Sequence, residues 1–387
     1  MIIISDLHLG RATDTIMREG EAHNSRIIDT INCFKEALLN CKRKSDRELV
    51  ISGDIFNNPT PKSSMLDVFF ELIQLAAKNK IAVFCIPGNH DCETRWSAEI
   101  AAVHSGHENL RIILKPEIVE MSVGNVLFIP HVPRAYGEPE DIIKGAIKLV
   151  KLSKIKPNIL ISHGYVMGAK SSSDVEIEAG GALEIDPDNF RVKLAILGHM
   201  HKHQSLTFFK KTSKQVTFIY PGSPVVQDFG EVNNPHGCIW INKKLTWHFI
   251  EFKTKQQEYD NIGVDLLSKS DIDLSDEKLK KHTENKLLKI IVYTKDVLKV
   301  NEYELRKAFN KFGKVMKFEI VLCAENGKAI EVDDSDIAVP EESYPELFKK
   351  WLETRDMPLK VRRLALKRGK DIIEKVRADL EKNLSIV

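Results

Sequence analysis

Ile81-Ala82-Val83-Phe84-Cys85-Ile86-Pro87-Gly88-Asn89-His90-Asp91 is an apolar run that stops at a turn and then presents an amide, an imidazole and a carboxylate in consecutive positions. The run from Ile81 to Ile86, closed by Pro87-Gly88, has the length and boundaries of a buried β-strand. Four other runs end in the same way. Ile2–Ile4 stops at Asp6-Leu7-His8, and Leu49–Ile51 at Gly53-Asp54-Ile55-Phe56-Asn57. Ile159–Ile161 stops at Ser162-His163-Gly164, and Leu194–Leu197 at Gly198-His199-Met200-His201. Ligand sites of α/β sheets gather at the C-terminal ends of strands, so five such endings predict one polar cluster. Residues two apart in an extended segment share a face, which lets Asp6 with His8, and His199 with His201, converge on one point.

Helical patterns fill the intervals. Ile27, Ile28, Ile31, Phe34, Ala37, Leu38 and Cys41 recur at helical spacing, as do Leu66, Phe69, Phe70, Ile73, Ala76 and Ala77. After Arg111 the texture becomes strand-like, with Arg111–Leu114, Ile118–Met121 and Val126–Ile129, then Thr217–Tyr220, Cys238–Ile241 and Thr246–Phe252. Helices alternating with strands, followed by strands alone, predict two packed sheets with helices outside. This first domain spans residues 1–252. The polar stretch 253–285 reads as a linker. A strand–helix–strand unit follows within 286–338, from Leu288–Tyr293, Glu302–Phe312 and Val315–Leu322. Residues 339–387 carry two helical stripes, Tyr344–Leu352 and Ile372–Leu380.

The chain of 387 residues is 43% hydrophobic and 29% charged, a globular composition that excludes low-complexity and collagen-like classes. Lys+Arg 57 against Asp+Glu 55 leaves +2, so no global field draws it to polyanions. Six cysteines without a framework read as reduced thiols of a cytoplasmic protein. No apolar run suggests a membrane span, and Met1–Ile4 is too short for a signal peptide.

The cluster at the strand ends holds two carboxylates, one amide and several imidazoles without a thiolate. Such a set suits divalent manganese, iron or zinc. Seven candidates, Asp6, His8, Asp54, Asn89, His163, His199 and His201, exceed the needs of one tetrahedral ion and fit two ions sharing a carboxylate. Paired ions about 3.5–4 Å apart activate a water and clamp a phosphoryl group, so the chemistry indicated is phosphoester hydrolysis.

In this order the motifs resemble the calcineurin-like metallophosphoesterase superfamily over about residues 1–250. The resemblance implies a four-layer αββα sandwich. It places Asp6, His8 and His201 on one ion, and Asn89, His163 and His199 on the other, with Asp54 bridging. His90 then sits over the scissile phosphate without binding metal, donating a proton or stabilising charge, and Asp91 is the carboxylate that orients its imidazole. Within the superfamily the chain resembles the SbcD-type nuclease subunit of DNA repair. The resemblance is carried by Asp6-Leu7-His8-Leu9-Gly10, Leu197-Gly198-His199-Met200-His201-Lys202, Tyr220-Pro221-Gly222-Ser223-Pro224, Asp228-Phe229-Gly230-Glu231 and His236-Gly237. It implies a manganese-dependent exonuclease or endonuclease acting at DNA ends in break repair, recombination or replication. It further implies a small α+β DNA-binding cap at 286–338 and a helical tail that docks on an SMC-like ABC ATPase of SbcC type. A homodimer fits the same family. Asn57 stands where many members have His or Asp, at a position linked to placing the substrate.

A phosphatase or phosphodiesterase acting on protein or nucleotide phosphoesters is the alternative, and a vestigial DNA-tethering subunit a third reading. His131, after Ile129-Pro130, is a further candidate for substrate contact. His203 reads as solvated, since the ligand set is complete without it. Between Arg355 and Lys370 seven basic residues face one acid, a stretch that suits DNA phosphates or a solvated helix face.

Overall fold

The structure is a computed structural model that describes residues 1–17, 20–92, 107–133, 135, 137–170, 183–209, 215–254, 256–265, 283, 286–295, 300–311, 313–323 and 329. The stripes at Tyr344–Leu352 and Ile372–Leu380 and the basic run Arg355–Lys370 lie outside the described residues.

The chain opens with β1 (Ile2–Ile4), α1 (Ser25–Arg43), β2 (Glu48–Ser52), α2 (Ser63–Lys78), β3 (Ala82–Ile86) and β4 (Leu110–Ile112). It continues through β5 (Glu117–Met121), β6 (Gly124–Ile129), α3 (Pro139–Leu152), β7 (Ile159–Tyr165), β8 (Leu183–Glu184) and β9 (Leu194–Gly198). Then come β10 (Gln204–Phe209), β11 (Gln215–Tyr220), β12 (Gly237–Ile241) and β13 (Trp247–Glu251). One sheet has the order β13-β12-β1-β2-β3-β4, and the other β10-β11-β9-β7-β6-β5, with β8 beside β7. Strands β1 to β4 are parallel, as are β6, β7, β9 and β11, so their C-terminal ends lie at one edge of each sheet.

Strand alternation explains why these runs are apolar throughout. Ile2 and Ile4 pack with α1 and α2, while Ile3 joins a second cluster facing the other way. Leu49 and Ile51 likewise oppose Val50. In the second sheet Leu160, Ala195 and Leu197 pack toward α3, while Ile159, Ile161, Leu194 and Ile196 meet Ile3 and Val50 between the sheets. Both faces of each central strand are therefore covered, and no position is left for a polar residue until the strand ends. Asn24 caps α1 by accepting the Ile27 amide at 3.0 Å, and Lys42 and Arg43 lie in its last turn, where cations complement the helix dipole.

Two elements escape the sequence pattern. α3 is not among the helical patterns read from the sequence, although it is amphipathic, with Ile143 and Ala146 buried and Lys144, Lys148 and Lys151 on one exposed stripe. Pro139 in its first turn with Glu140 and Asp141 is a good helix start. β10 is an edge strand of half-exposed residues.

The predicted linker 253–285 is corrected by the structure. Tyr259–Asp265 forms β14, parallel to β15 (Leu287–Thr294), which is parallel to β16 (Lys314–Leu322). Helix α4 (Glu302–Phe309) packs on this sheet through Leu305 and Phe309, against Val264, Leu288, Ile290 and Val292. β14 has few apolar residues because its backbone bonds to β15 supply its order, and Ile262 and Val264 suffice for its share of the small core. Met1–Leu322 forms one compact unit and Cys323–Val387 another. No helix among the described residues is long and apolar enough to cross a membrane. All six cysteines are buried free thiols.

Ile161, fully buried between the sheets, tests this layering. Ile161→Ala is expected to destabilise the fold by about 2–5 kcal/mol. The loss should appear as a lower urea midpoint with an unchanged denaturant slope. An unaltered midpoint would mean that the two sheets are not close-packed at this position.

Candidate metal centre

The strand ends converge. Asp6, His8 and His201 bring one donor atom each within 4.8 Å of one another, as do Asp6, Asp54 and His163, and His8, Asp54 and His90. The Nε2 atoms of His8 and His201 face each other at 3.0 Å. On the other side the Asn89 Oδ1 lies 3.1 Å from His163 Nε2 and 3.1 Å from His199 Nδ1. Asp54 lies between the two groups. Its Oδ2 is 3.5 Å from His8 Nε2 and 3.4 Å from His163 Nε2, while its Oδ1 accepts the backbone amide of His90 at 2.9 Å. Asp6, His8, Asp54 and His163 are each at most 2% exposed.

The convergence does not come from extended backbone. Asp6 (φ 55°), His8 (φ 44°), Asp54 (φ 51°) and His199 (φ 100°) all adopt left-handed conformations. Each such residue costs on the order of 1–3 kcal/mol and persists only where its surroundings over-determine it. Here the amides of Asp6 and His8 are bonded to the carbonyls of Gly53 and Asp54, and the His199 amide to the Asp6 carboxylate at 3.1 Å. The pairing of Asp6 with His8 is thus made by a turn rather than by alternation along a strand. His163 is not at a strand end either, because β7 continues through it to Tyr165. Close approach to the donors also demands glycine. A Cβ at Gly53, which has φ +99°, would collide with the His163 ring, and one at Gly88 with the Asp54 carboxylate.

The imidazoles are oriented by their second nitrogens. His163 Nδ1 is 2.9 Å from the Ser52 carbonyl and donates to it, which turns Nε2 toward Asp54. His201 Nδ1 is 2.6 Å from Glu231 Oε1, which turns its Nε2 toward His8. Such partners fix the tautomer a metal requires. Glu231 is a functional residue that motif spacing did not single out. Its only signal in the sequence was its place in Asp228-Phe229-Gly230-Glu231, thirty positions from its partner.

Burial and mutual charge divide the donors: burial raises Asp6 and lowers His8 well below its usual range. Burial would raise Asp54, yet the charge and hydrogen bond of His163 hold it far below the usual carboxylate range. Burial alone would lower His163, but the Asp54 carboxylate overrides it and raises the imidazole to about 9. His201, also opposed by burial, is lifted to about 9 by Glu231. His199 is lowered to about 3 by burial and by repulsion from His163. Buried carboxylates stable only beside a cation, and imidazole nitrogens converging at hydrogen-bond distance, form a donor set that fits divalent metal.

Other sequence expectations are corrected. Asp91 does not orient His90. Its Oδ2 accepts the amides of Ile55 at 3.0 Å and Gly88 at 2.8 Å, and its Oδ1 that of Phe56 at 2.8 Å. It braces the loop after β2, and a carboxylate wholly engaged with amides has no reach to the ring. His90 Nδ1 instead meets the Asn57 carbonyl at 3.0 Å, so residue 57 holds the ring through its backbone. His203 is not solvated, because its Nδ1 lies 2.7 Å from the Tyr220 carbonyl and its ring stacks on Phe249 at 3.9 Å. His131 follows β6 with its amide on the Pro87 carbonyl, close enough for its charge to act on His199.

A family model described as Calcineurin-like phosphoesterase matches residues 1–203. Protein R555 of Acanthamoeba polyphaga mimivirus, itself uncharacterized, is 28% identical over 229 residues, which make up 56% of this chain and 15% of that protein. The chain therefore spans only a small part of the length of that relative. Among solved structures, a dimetal phosphatase from Danio rerio is similar over 65% of this chain and 98% of its own, at 11% identity and a TM-score of 0.41. A novel archaeal phosphodiesterase is similar over 65% and 98%, at 12% identity and a TM-score of 0.32.

Protons and metal compete for this centre. With His163 and His201 both raised to about 9, a divalent ion that takes their Nε2 atoms below that pH must displace protons. Metal affinity is expected to rise with pH and level off above about 9. Manganese titration calorimetry in two buffers of different ionisation enthalpy measures the release directly. Identical heats in both buffers would show that no proton leaves and would refute the competition.

Proposed function

The chain belongs to the calcineurin-like phosphoesterase family, and on that premise we propose that it is a metal-dependent DNA nuclease subunit of the SbcD type, hydrolysing phosphodiester bonds at DNA ends. The metal-dependent phosphoesterase chemistry comes with the family and the donor set. The substrate and the setting are our reading.

The observation that carries this reading is the seat of the small sheet. β14 to β16 do not hang beyond a free linker but rest on the loops that build the centre. Tyr259 donates its hydroxyl to the Asp14 carbonyl at 3.1 Å, and Asn261 Nδ2 donates to the Phe229 carbonyl at 3.0 Å. Lys317 pairs with Asp14 at 2.9 Å and lies over the Phe229 ring. A second sheet fastened to the rim of a phosphoester site supports a substrate longer than a single nucleotide. The motifs shared with the SbcD-type branch support the same choice.

Asp6, His8 and His201 would hold one ion, and Asn89, His163 and His199 the other, with Asp54 shared. Manganese is our choice among the metals these ligands accept. When bound, the pair supplies an activated water and charge neutralisation for an in-line attack. The chain's own residues do the rest. His90 is exposed, and its Nδ1–H donates to the Asn57 carbonyl, which leaves Nε2 to carry a proton to the leaving oxygen. Asn57 offers its side-chain amide to a phosphate oxygen, and His131, whose amide bonds to the Pro87 carbonyl and whose charge acts on His199, is a further substrate contact. The residues from Tyr344 onward are assigned to a coiled-coil ABC ATPase of SbcC type, with the basic run at Arg355–Lys370 toward DNA.

Release of labelled nucleotides from linear duplex DNA with manganese tests the proposal. Wild type is expected to release them, and His90→Ala to be slower by about 10²–10⁴-fold. Hydrolysis of a simple phosphomonoester with DNA left intact, both with and without an ATPase partner, would assign the protein to the phosphatases instead.

A further inference from the structure

The site has two halves, and they are tied to different parts of the chain. His163 is oriented by the Ser52 carbonyl, at the end of β2 inside the two-sheet body. His201 is oriented by Glu231, which lies in the short turn Phe229–Glu231. Glu231 is 1% exposed, and both of its oxygens are committed. Oε1 accepts from His201, while Oε2 accepts the Gln227 amide at 2.8 Å and the Ser223 hydroxyl at 3.2 Å.

The other end of that turn is held by the small sheet. Phe229 is 3% exposed and packs with Tyr259 and Leu287, its ring T-shaped against Tyr259 at 5.5 Å. Its carbonyl accepts from Asn261 and its ring lies under Lys317, so all three strands of the small sheet reach the turn. Buried Arg26, at the start of α1, donates to the Tyr259 hydroxyl at 3.1 Å and fixes that strand against the body. No comparable contact joins the sheet to the Asn89, His163 and His199 group among the described residues.

We infer that Glu231 is the positioning residue for the ion held by Asp6, His8 and His201, and that docking of the β14–β16 sheet on Phe229 sets the affinity of that ion alone. The inference rests on the two-ion reading of the site. A rigid turn keeps Glu231 against Nδ1 of His201, so that Nε2 presents its lone pair. When the sheet shifts, the turn moves with Phe229 and His201 loses its orientation, while the other half of the site stays braced by β2 and β7. The sheet that meets the substrate therefore reports to one metal position.

Glu231→Gln isolates the first step with almost no change of shape. The new amide nitrogen must face either the Gln227 amide, a donor against a donor, or His201 Nδ1. In the second case it forces the proton onto Nε2, where no metal can bind. Manganese binding is followed by calorimetry and by the electron spin resonance signature of coupled against isolated ions, with the urea midpoint as a check on folding. Wild type should take up two ions. Glu231→Gln should keep one and bind the other about 10–100-fold more weakly. His201→Ala should affect the same ion more strongly, so the double variant should be little worse than His201→Ala alone, whereas adding His199→Ala should weaken the remaining ion. Asn261→Ala, which touches no ligand, should weaken the same ion by a smaller factor.

Equal weakening of both ions by Glu231→Gln, or of neither, in a folded protein would overturn the positioning role. Asn261→Ala with wild-type affinity at both ions would overturn the link to the sheet. Wild type that binds fewer than two ions would instead overturn the two-ion reading on which both depend.

Discussion

Asp54 is the interaction on which the rest of this structure depends. One of its oxygens is spent on the backbone amide of His90, and the other lies between nitrogens of His8 and His163 from opposite halves of the site. A carboxylate buried to 2% exposure is tolerable only with strong partners. The surroundings meet that need with the His163 imidazole, which Asp54 raises toward its charged form although burial pushes His8 the other way, or with metal in its place. The same residue also connects the sheets, since β2 delivers Asp54 and β7 in the other sheet delivers His163. The centre is a seam between layers.

That seam explains where the backbone is strained and why the fold tolerates it. Four donor residues occupy left-handed conformations, a combined cost of several kcal/mol on the usual scale. The strands behind them are apolar on both faces and closely packed, so the turns have a rigid base. Glycines at 53 and 88 allow a neighbouring ring or carboxylate to approach the main chain itself, which no side chain would permit. Orientation is then completed from outside the donor set, by the Ser52 carbonyl, the Asn57 carbonyl and Glu231. Two of these three are backbone groups, so they place no demand on residue type.

This is why the donors were legible and their supports were not. Asp6, His8, Asp54, Asn89, His163, His199 and His201 each follow or end an apolar run, and burial on both strand faces makes such a polar intrusion conspicuous. Glu231 follows no strand and reads as one more acid in a polar loop. Asp91, placed next to His90 in sequence, suggests a partnership that the three amide bonds of its carboxylate forbid. His203 reads as surplus because its partners, the Tyr220 carbonyl and the Phe249 ring, come from distant strands. β14 was hidden because a strand ordered by a parallel neighbour needs few apolar residues of its own.

By itself the sequence determined the layered α/β class, the strands that end in polar residues, and the donor types that point to divalent metal and phosphoester chemistry. Those properties follow from local periodicity and from the chemistry of single side chains. Only the tertiary structure decided which donors share a point, that Asp54 stands between two groups, and that His90 leans on a carbonyl rather than on Asp91. Only it decided that the small sheet rests on the turn bearing Glu231. These are distances between residues far apart in the chain, fixed by how the two sheets and the small sheet pack, and no local pattern encodes them.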